Sequence, residues 1–134
     1  MPITKTILKK VRQQSVIKLV GSGTSTIDLN SDLRLSDETF LGYSNANVNI
    51  HTILWTMSNS TSPVSIVRNG VTVWELYGND NWLLSQTMGV VDNANNSSNI
   101  QVTIPAPGGS VVLGLTKATG YQTPNQQTLK DYEK

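Results

Sequence analysis

The chain has 134 residues, of which 42 are Ser, Thr or Asn and only 19 are charged. A chain of this length can form one domain with one core, and this composition favours short strands and turns over long helices. There is no cysteine and no apolar run as long as a membrane-spanning helix, which excludes disulfides, thiolate metal sites and a helical membrane span.

The formal net charge of +1 is unevenly distributed along the chain. Residues 1–27 carry five basic side chains and no acidic one, whereas residues 28–92 carry seven acidic side chains and two basic ones. This asymmetry predicts a basic N-terminal arm, residues 1–14, that docks on the acidic surface of a neighbouring protein. A solvated first strand that happens to be basic is the alternative. The basic residues of the arm are Lys5, Lys9, Lys10 and Arg12.

Segments with strand-like alternation follow one another along the chain and end at turn residues. The predicted strands are residues 15–21, 25–29, 47–57, the two halves of a hairpin within 64–76, 99–104 and 110–116, with a further short strand near 83–86. Seven or eight short strands at this spacing predict an all-β fold, an antiparallel β-sandwich or jelly roll over residues 15–118. Residues 119–134 are predicted to form a polar tail. Residues 5–14 are the one helical candidate, and we favour an extended arm there.

Two hairpins are predicted from turn chemistry. Asn69 and Gly70 lie between two alternating runs, which predicts a two-residue primed turn with positive φ at both positions. An unbroken register then puts Trp74 and Leu76 on the face opposite Ile66, so this hairpin would be apolar on both sides. The second hairpin is predicted at the PAPGG sequence of residues 105–109.

The second apolar face of the predicted sheet is a candidate binding surface. It includes Trp55 of the strand at 47–57, together with Trp74 and Leu76. A protein partner could cover this face, because interfaces are enriched in Trp, Tyr and Met. If it is open, the same tryptophans could stack on sugar rings, as in a carbohydrate-binding module. The breadth of the face favours the protein partner.

The sequence offers little for catalysis or metal binding. His51 is the only histidine, and the adjacent Asp37 and Glu38 point apart in an extended segment. The DNANN stretch at 92–96 lacks the glycine and late glutamate of a calcium loop, and the GSG at 21–23 lacks the rest of a phosphate loop. We therefore expect no enzymatic activity, no cofactor and no metal. Nucleic acid is not expected as a partner, since no basic–aromatic interleaving accompanies the arm. Nor do we expect a membrane partner.

Five stretches that together span nearly the whole chain carry a resemblance: TKTILKKVRQQSVIKLVGSGTSTIDL, NIHTILWTMS, VRNGVTVWELYGN, VDNANNSSNIQVTI and GGSVVLGLTKATGY. In them the chain resembles small virion structural proteins of tailed phages, especially the marine T4-like phages of cyanobacteria. The resemblance implies a non-enzymatic virion protein, assembled in the host cytoplasm, whose partners are the major capsid protein or other virion proteins. It also implies a homo-oligomer.

We expect the role of a capsid decoration or cement protein on the head surface. The alternatives are a component of the tail, neck or fibre, or a host-surface adhesin that binds carbohydrate.

Overall fold

The computed structural model describes residues 2–11, 13–36, 38–57, 62–83 and 95–122, which form strands, turns and bends without a helix. Within these ranges, no helix is long and apolar enough to cross a membrane. The strands are β1 (Thr4–Lys10), β2 (Gln14–Ile27), β3 (Thr39–Phe40), β4 (Asn47–Met57), β5 (Val64–Arg68), β6 (Val71–Leu76), β7 (Asp80–Leu83), β8 (Ile100–Thr119) and β9 (Tyr121–Gln122). The predicted all-β antiparallel class is confirmed.

The long strands β2 and β8 pair with each other and organise a seven-stranded antiparallel sheet. Its main order is β1-β2-β8-β4-β7, while β5 also pairs with β8 and carries β6. The first part of β8 pairs with β5 and the second part with β4. The two branches contribute to one buried cluster, so the fold is sandwich-like. Strands β3 and β9 form a separate two-stranded sheet.

The PAPGG sequence lies within β8, so the predicted hairpin there is wrong. Gly21 of β2 is opposite Gly109 and Gly23 is opposite Ile104, so residues 105–108 form a bulge opposite a single residue of β2. The two halves of β8 do not pair with each other because β2 provides hydrogen-bonding partners to both. Glycine is needed at the crossing: Gly108 has a φ of 123°, and a Cβ there would lie 2.9 Å from the carbonyl oxygen of Gly21.

Alternation along the strands directs one set of apolar side chains inward. In β2, for example, Ile17 and Leu19 are fully buried. The residues that alternate with them, Val16, Lys18 and Val20, are half-buried. The core consists of Ile17, Leu19, Ile27, Leu29, Leu33, Ala46, Val48, Ile50, Ile53, Met57, Val64, Ile66, Leu76, Ile100, Val102, Ile104, Val111, Leu113 and Leu115.

Two buried basic side chains attach loops to this core. The Arg68 guanidinium donates hydrogen bonds to the carbonyl oxygens of Val48 at 2.6 Å, Ser98 at 2.7 Å and Asn96 at 3.1 Å. Lys117 Nζ lies 2.8 Å from Glu38 Oε1, and both side chains are fully buried. These contacts hold residues 96–98 and the loop before β3 against the sheet.

The N-terminal segment is extended, as predicted, but it is not a free arm. Strand β1 pairs antiparallel with β2 of its own chain, from Thr4 opposite Val20 to Lys10 opposite Ser15. Ile3 packs against the core, which explains why the segment stays with the domain. The helix considered over residues 5–14 is therefore wrong.

The limits of the other predicted segments also change. The domain continues past residue 118, because Tyr121 of β9 pairs with Phe40 of β3. The rest of the predicted tail, 123–134, lies outside the described residues. Near the predicted strand at 83–86, β7 ends at Leu83, and residues 84–86 also lie outside them.

Candidate protein-binding edges

The Asn69-Gly70 turn has the predicted geometry, but the register of its hairpin shifts beyond it. Asn69 and Gly70 have φ of 53° and 72°, the positive pair that a type I′ turn requires. The two residue pairs next to the turn, Arg68 with Val71 and Val67 with Thr72, follow the unbroken register. Val73 is then an extra residue of β6, and Ile66 lies opposite Trp74.

This bulge places Trp74 and Leu76 on the core face of the hairpin. Directly opposed residues of antiparallel strands point to the same face, so Trp74 lies with Ile66, and Leu76 lies with Val64. Leu76 is only 5% exposed and belongs to the core, and Trp74 packs against it. The prediction that Trp74 and Leu76 form a second, outward apolar face is wrong.

Trp55 also lies on the inner side of the sheet. It is opposite the fully buried Val111, it packs partly buried against the core, and its Nε1 donates a hydrogen bond to the Tyr77 carbonyl at 2.9 Å. The structure therefore brings Trp55, Trp74 and Leu76 to the core or its rim. It does not assemble them into an open platform.

Strand β1 is an outermost strand with exposed apolar side chains. It pairs with β2 on one side, and no strand of the described ranges pairs with its other side. Ile7 is 39% exposed and Leu8 is 52% exposed. Leu8 lies at a register shift, since Ile7 is opposite Ile17 and Lys9 is opposite Val16. Backbone groups on this outer side are thus available to another strand.

The three lysines of β1 have different surroundings. Lys5 Nζ forms an ion pair with Asp32 Oδ2 at 2.7 Å and also donates to a backbone carbonyl. Lys9 is exposed, and its Nζ donates to Gln14 Oε1 at 3.4 Å, while Lys10 is half-buried. Arg12, the fourth predicted partner-binding cation, lies outside the described residues. We call β1 with its three lysines the basic edge.

Most acidic residues of the described part of the chain are bound within it. Glu38 pairs with Lys117, and Asp32 pairs with Lys5. Asp28 accepts hydrogen bonds from the Tyr43 hydroxyl and from two backbone N–H groups. Burial opposes ionisation of Asp28, but these hydrogen bonds outweigh it and lower the pKa of Asp28 below its ordinary value.

Two further acids are exposed on the strands that are farthest from β1 in the pairing order. Glu75 is on β6 and Asp80 begins β7, and neither strand contains Lys or Arg. In the described ranges, β6 pairs only with β5 and β7 only with β4. We call these two strands the acidic edge. The sequence predicted an acidic body, and among the described residues the two exposed acids lie on these two outermost strands.

The surroundings of the only histidine, His51, indicate a packing role. His51 is half-buried, its Nδ1 lies 2.8 Å from Thr52 Oγ1, and its ring packs against Gly114, where a Cβ would come within 2.9 Å of it. Burial lowers the pKa of His51, and a backbone hydrogen bond at Leu115 works in the opposite direction. Across the described ranges, no group of three or more His, Cys, Asp or Glu side chains could hold a metal ion.

One open cleft combines aromatic and polar side chains. It has a volume of about 490 Å³ and is lined by Leu54, Trp55, Thr56, Asn79, Asp80, Ser110 and Val112. Tyr77, whose carbonyl holds Trp55, is 54% exposed. Asn79 Oδ1 accepts a hydrogen bond from the Met57 backbone, so its side chain helps to shape the cleft wall.

Neither a family model nor a curated protein sequence matches this chain. The fold, its edges and the surface charge are therefore the features that bear on function.

Proposed function

We propose that the chain is a non-enzymatic structural subunit of a phage virion, a capsid decoration protein that binds the head surface through protein–protein contacts. The observation that carries this proposal is the open basic edge, with exposed Ile7 and Leu8 between lysines. The resemblance of the sequence to small virion proteins indicates the particle on which this edge would meet its protein partner.

An open edge strand can add to the sheet of another protein. Lysine on such a strand opposes pairing with a like strand, so the edge selects partners instead of aggregating. An acidic partner is favoured by complementary charge, and exposed Leu8 adds apolar contact. These features suit a small protein that binds an assembled lattice without carrying out chemistry.

Co-sedimentation with undecorated heads of a T4-like cyanophage tests the proposal. We expect the chain to bind heads, with weaker binding at high salt because exposed charges are screened. Lys9→Glu should weaken binding, whereas Lys18→Glu, the same charge change on the interior strand β2, should leave it near the parent level. Absence of head binding, or full binding by the Lys9→Glu protein, would contradict the proposal. Binding to isolated tails, necks or fibres alone would assign the chain there.

A carbohydrate-binding adhesin is the second candidate, favoured by the cleft beside Trp55 and the exposed ring of Tyr77. Sugar rings stack on aromatic faces while amide and carboxylate groups bind their hydroxyls. Titration with soluble host-envelope polysaccharide, followed by tryptophan fluorescence, tests it. Saturable binding that Tyr77→Ala abolishes would support this candidate, and an unchanged signal would eliminate it.

A further inference from the structure

We infer that the basic edge of one copy pairs with strand β6 at the acidic edge of the next copy, so that copies associate head to tail. This inference rests on the proposed function, because it names the partner of the same edge.

The basic edge and strand β6 carry opposite charges. Strand β1 carries Lys9 and Lys10, together with Lys5, which is paired with Asp32, and it has no acid. Strand β6 carries Glu75 and no basic residue, and Asp80 begins β7, the next strand along the chain. Asp28, Asp32 and Glu38 belong to other segments and are bound within their own chain. A second copy therefore presents a surface of opposite charge to β1.

The two strands also match each other. Strand β1 has seven residues and β6 has six, and each lacks a described neighbour on its outer side. Both carry exposed apolar side chains: Leu8 is 52% exposed on β1 and Val71 is 48% exposed on β6. Pairing them would satisfy backbone groups of both strands and cover both side chains.

Pairing of identical edges is disfavoured by the same charges. Two β1 strands would bring lysines together, and two β6 strands would bring Glu75 near its own copy. A contact between unlike edges leaves one edge of each kind free on every pair. Further copies can then add, and the contact closes into a ring or continues as a chain.

Analytical ultracentrifugation with two charge-reversed proteins tests the arrangement. Lys9→Glu damages only the basic edge, and Glu75→Lys damages only the acidic edge; both side chains are exposed, so folding should be retained. We expect each variant alone to raise the self-dissociation constant by about tenfold or more, since a reversed charge replaces attraction by repulsion. Lys18→Glu is the matched control and should associate like the parent.

Mixing the two variants discriminates between edge pairings. The intact basic edge of the Glu75→Lys protein then meets the intact acidic edge of the Lys9→Glu protein, and the two reversed edges are also complementary, so head-to-tail contact predicts that the mixture regains the association that each variant alone has lost. A third protein with both substitutions should regain association, because the negative charge that replaces Lys9 then faces the positive charge that replaces Glu75. A parent protein that stays monomeric at low salt overturns the inference, as does a Lys9→Glu protein that associates normally.

The same proteins are tested for head binding, which separates the two proposals. Head binding by a protein that remains monomeric in solution overturns the head-to-tail inference and leaves the proposed function standing. Self-association without head binding overturns the proposed function and supports the inference.

Discussion

Replacing Arg68 by methionine should destabilise the fold, although methionine fits a buried apolar position better than a cation does. The guanidinium is 1% exposed and bonds backbone carbonyl oxygens that no substitution can remove. Ser98 O receives two of its hydrogen bonds, at 2.7 and 3.2 Å, and Val48 O receives one at 2.6 Å. Asn96 O keeps the Val48 N–H as a donor at 2.9 Å.

The cost follows from the carbonyls that lose their guanidinium donor. Each buried acceptor left without a partner costs about 1–3 kcal/mol, so Ser98 and Val48 together cost about 2–6 kcal/mol. Arg68→Met also removes the free-energy cost of burying the charged guanidinium, which offsets part of this loss. We expect a net loss of about 3 kcal/mol in the free energy of unfolding, which lowers Tm by about 10 °C for a domain of this size.

Urea unfolding followed by tryptophan fluorescence measures this loss for Arg68→Met. Lys9→Met is the control, since it removes the same charge from an exposed site and should change stability by under about 0.5 kcal/mol. Arg68→Lys should cost about as much as Arg68→Met, because an ammonium cannot reproduce the planar fork and is more strongly hydrated. An Arg68→Met protein as stable as the parent would refute the reasoning.

Three further predictions concern the turn, the histidine and the buried ion pair. Gly70→Val should cost about 1–2 kcal/mol of unfolding free energy, because φ is 72° there, whereas Asn69→Gly should be nearly neutral; thermal melts compare them. Burial lowers the pKa of His51 below 6.5, so its neutral ring should contribute full stability to the folded protein above about pH 6.5. The protein should lose this stability as the pH falls through the pKa of His51 in the folded state. Urea titrations at pH 7.5 and 5.5 should show this loss, and His51→Gln should reduce it. Lys117→Met should cost about 3–5 kcal/mol by leaving Glu38 buried without its cation, and adding Glu38→Leu should restore much of it in a double-mutant cycle.

Features set by local chemistry could be predicted from the sequence. The Asn69-Gly70 turn was predictable because positive φ at two successive positions is a local demand that few residue pairs meet. The antiparallel all-β class followed from alternation and turn spacing. The PAPGG sequence is ambiguous by itself, because proline and glycine suit a turn and a bulge equally well. The distant strand β2, which pairs on both sides of residues 105–108, decides between them.

The candidate site depended on features with no local signature. A single extra residue at Val73 reverses the face of Trp74 and Leu76, and the β-forming sequence around it alternates equally well in either register. Burial of Arg68 has no local signature either, since its acceptors belong to residues 48, 96 and 98, which are distant in the sequence. The charge asymmetry was visible in the sequence. The division of this charge between two edges could not be predicted, because it depends on the strand order and on the internal ion pairs.

The position of the tryptophans constrains how partners can be bound. With Trp74 packed against the core, the exposed apolar groups of β1 and β6 are few, chiefly Leu8 and Val71. A contact along one strand of six or seven residues buries less than the roughly 1,200 Å² of a stable protein interface. A single pair of copies would therefore be short-lived. A copy held at both edges and on a lattice leaves only when all its contacts break together, so its retention grows with the number of contacts. Edge pairing of this kind is measurable but readily reversible in solution at low salt, and it becomes long-lived on a surface that already aligns the copies, which is the behaviour that a decoration protein needs.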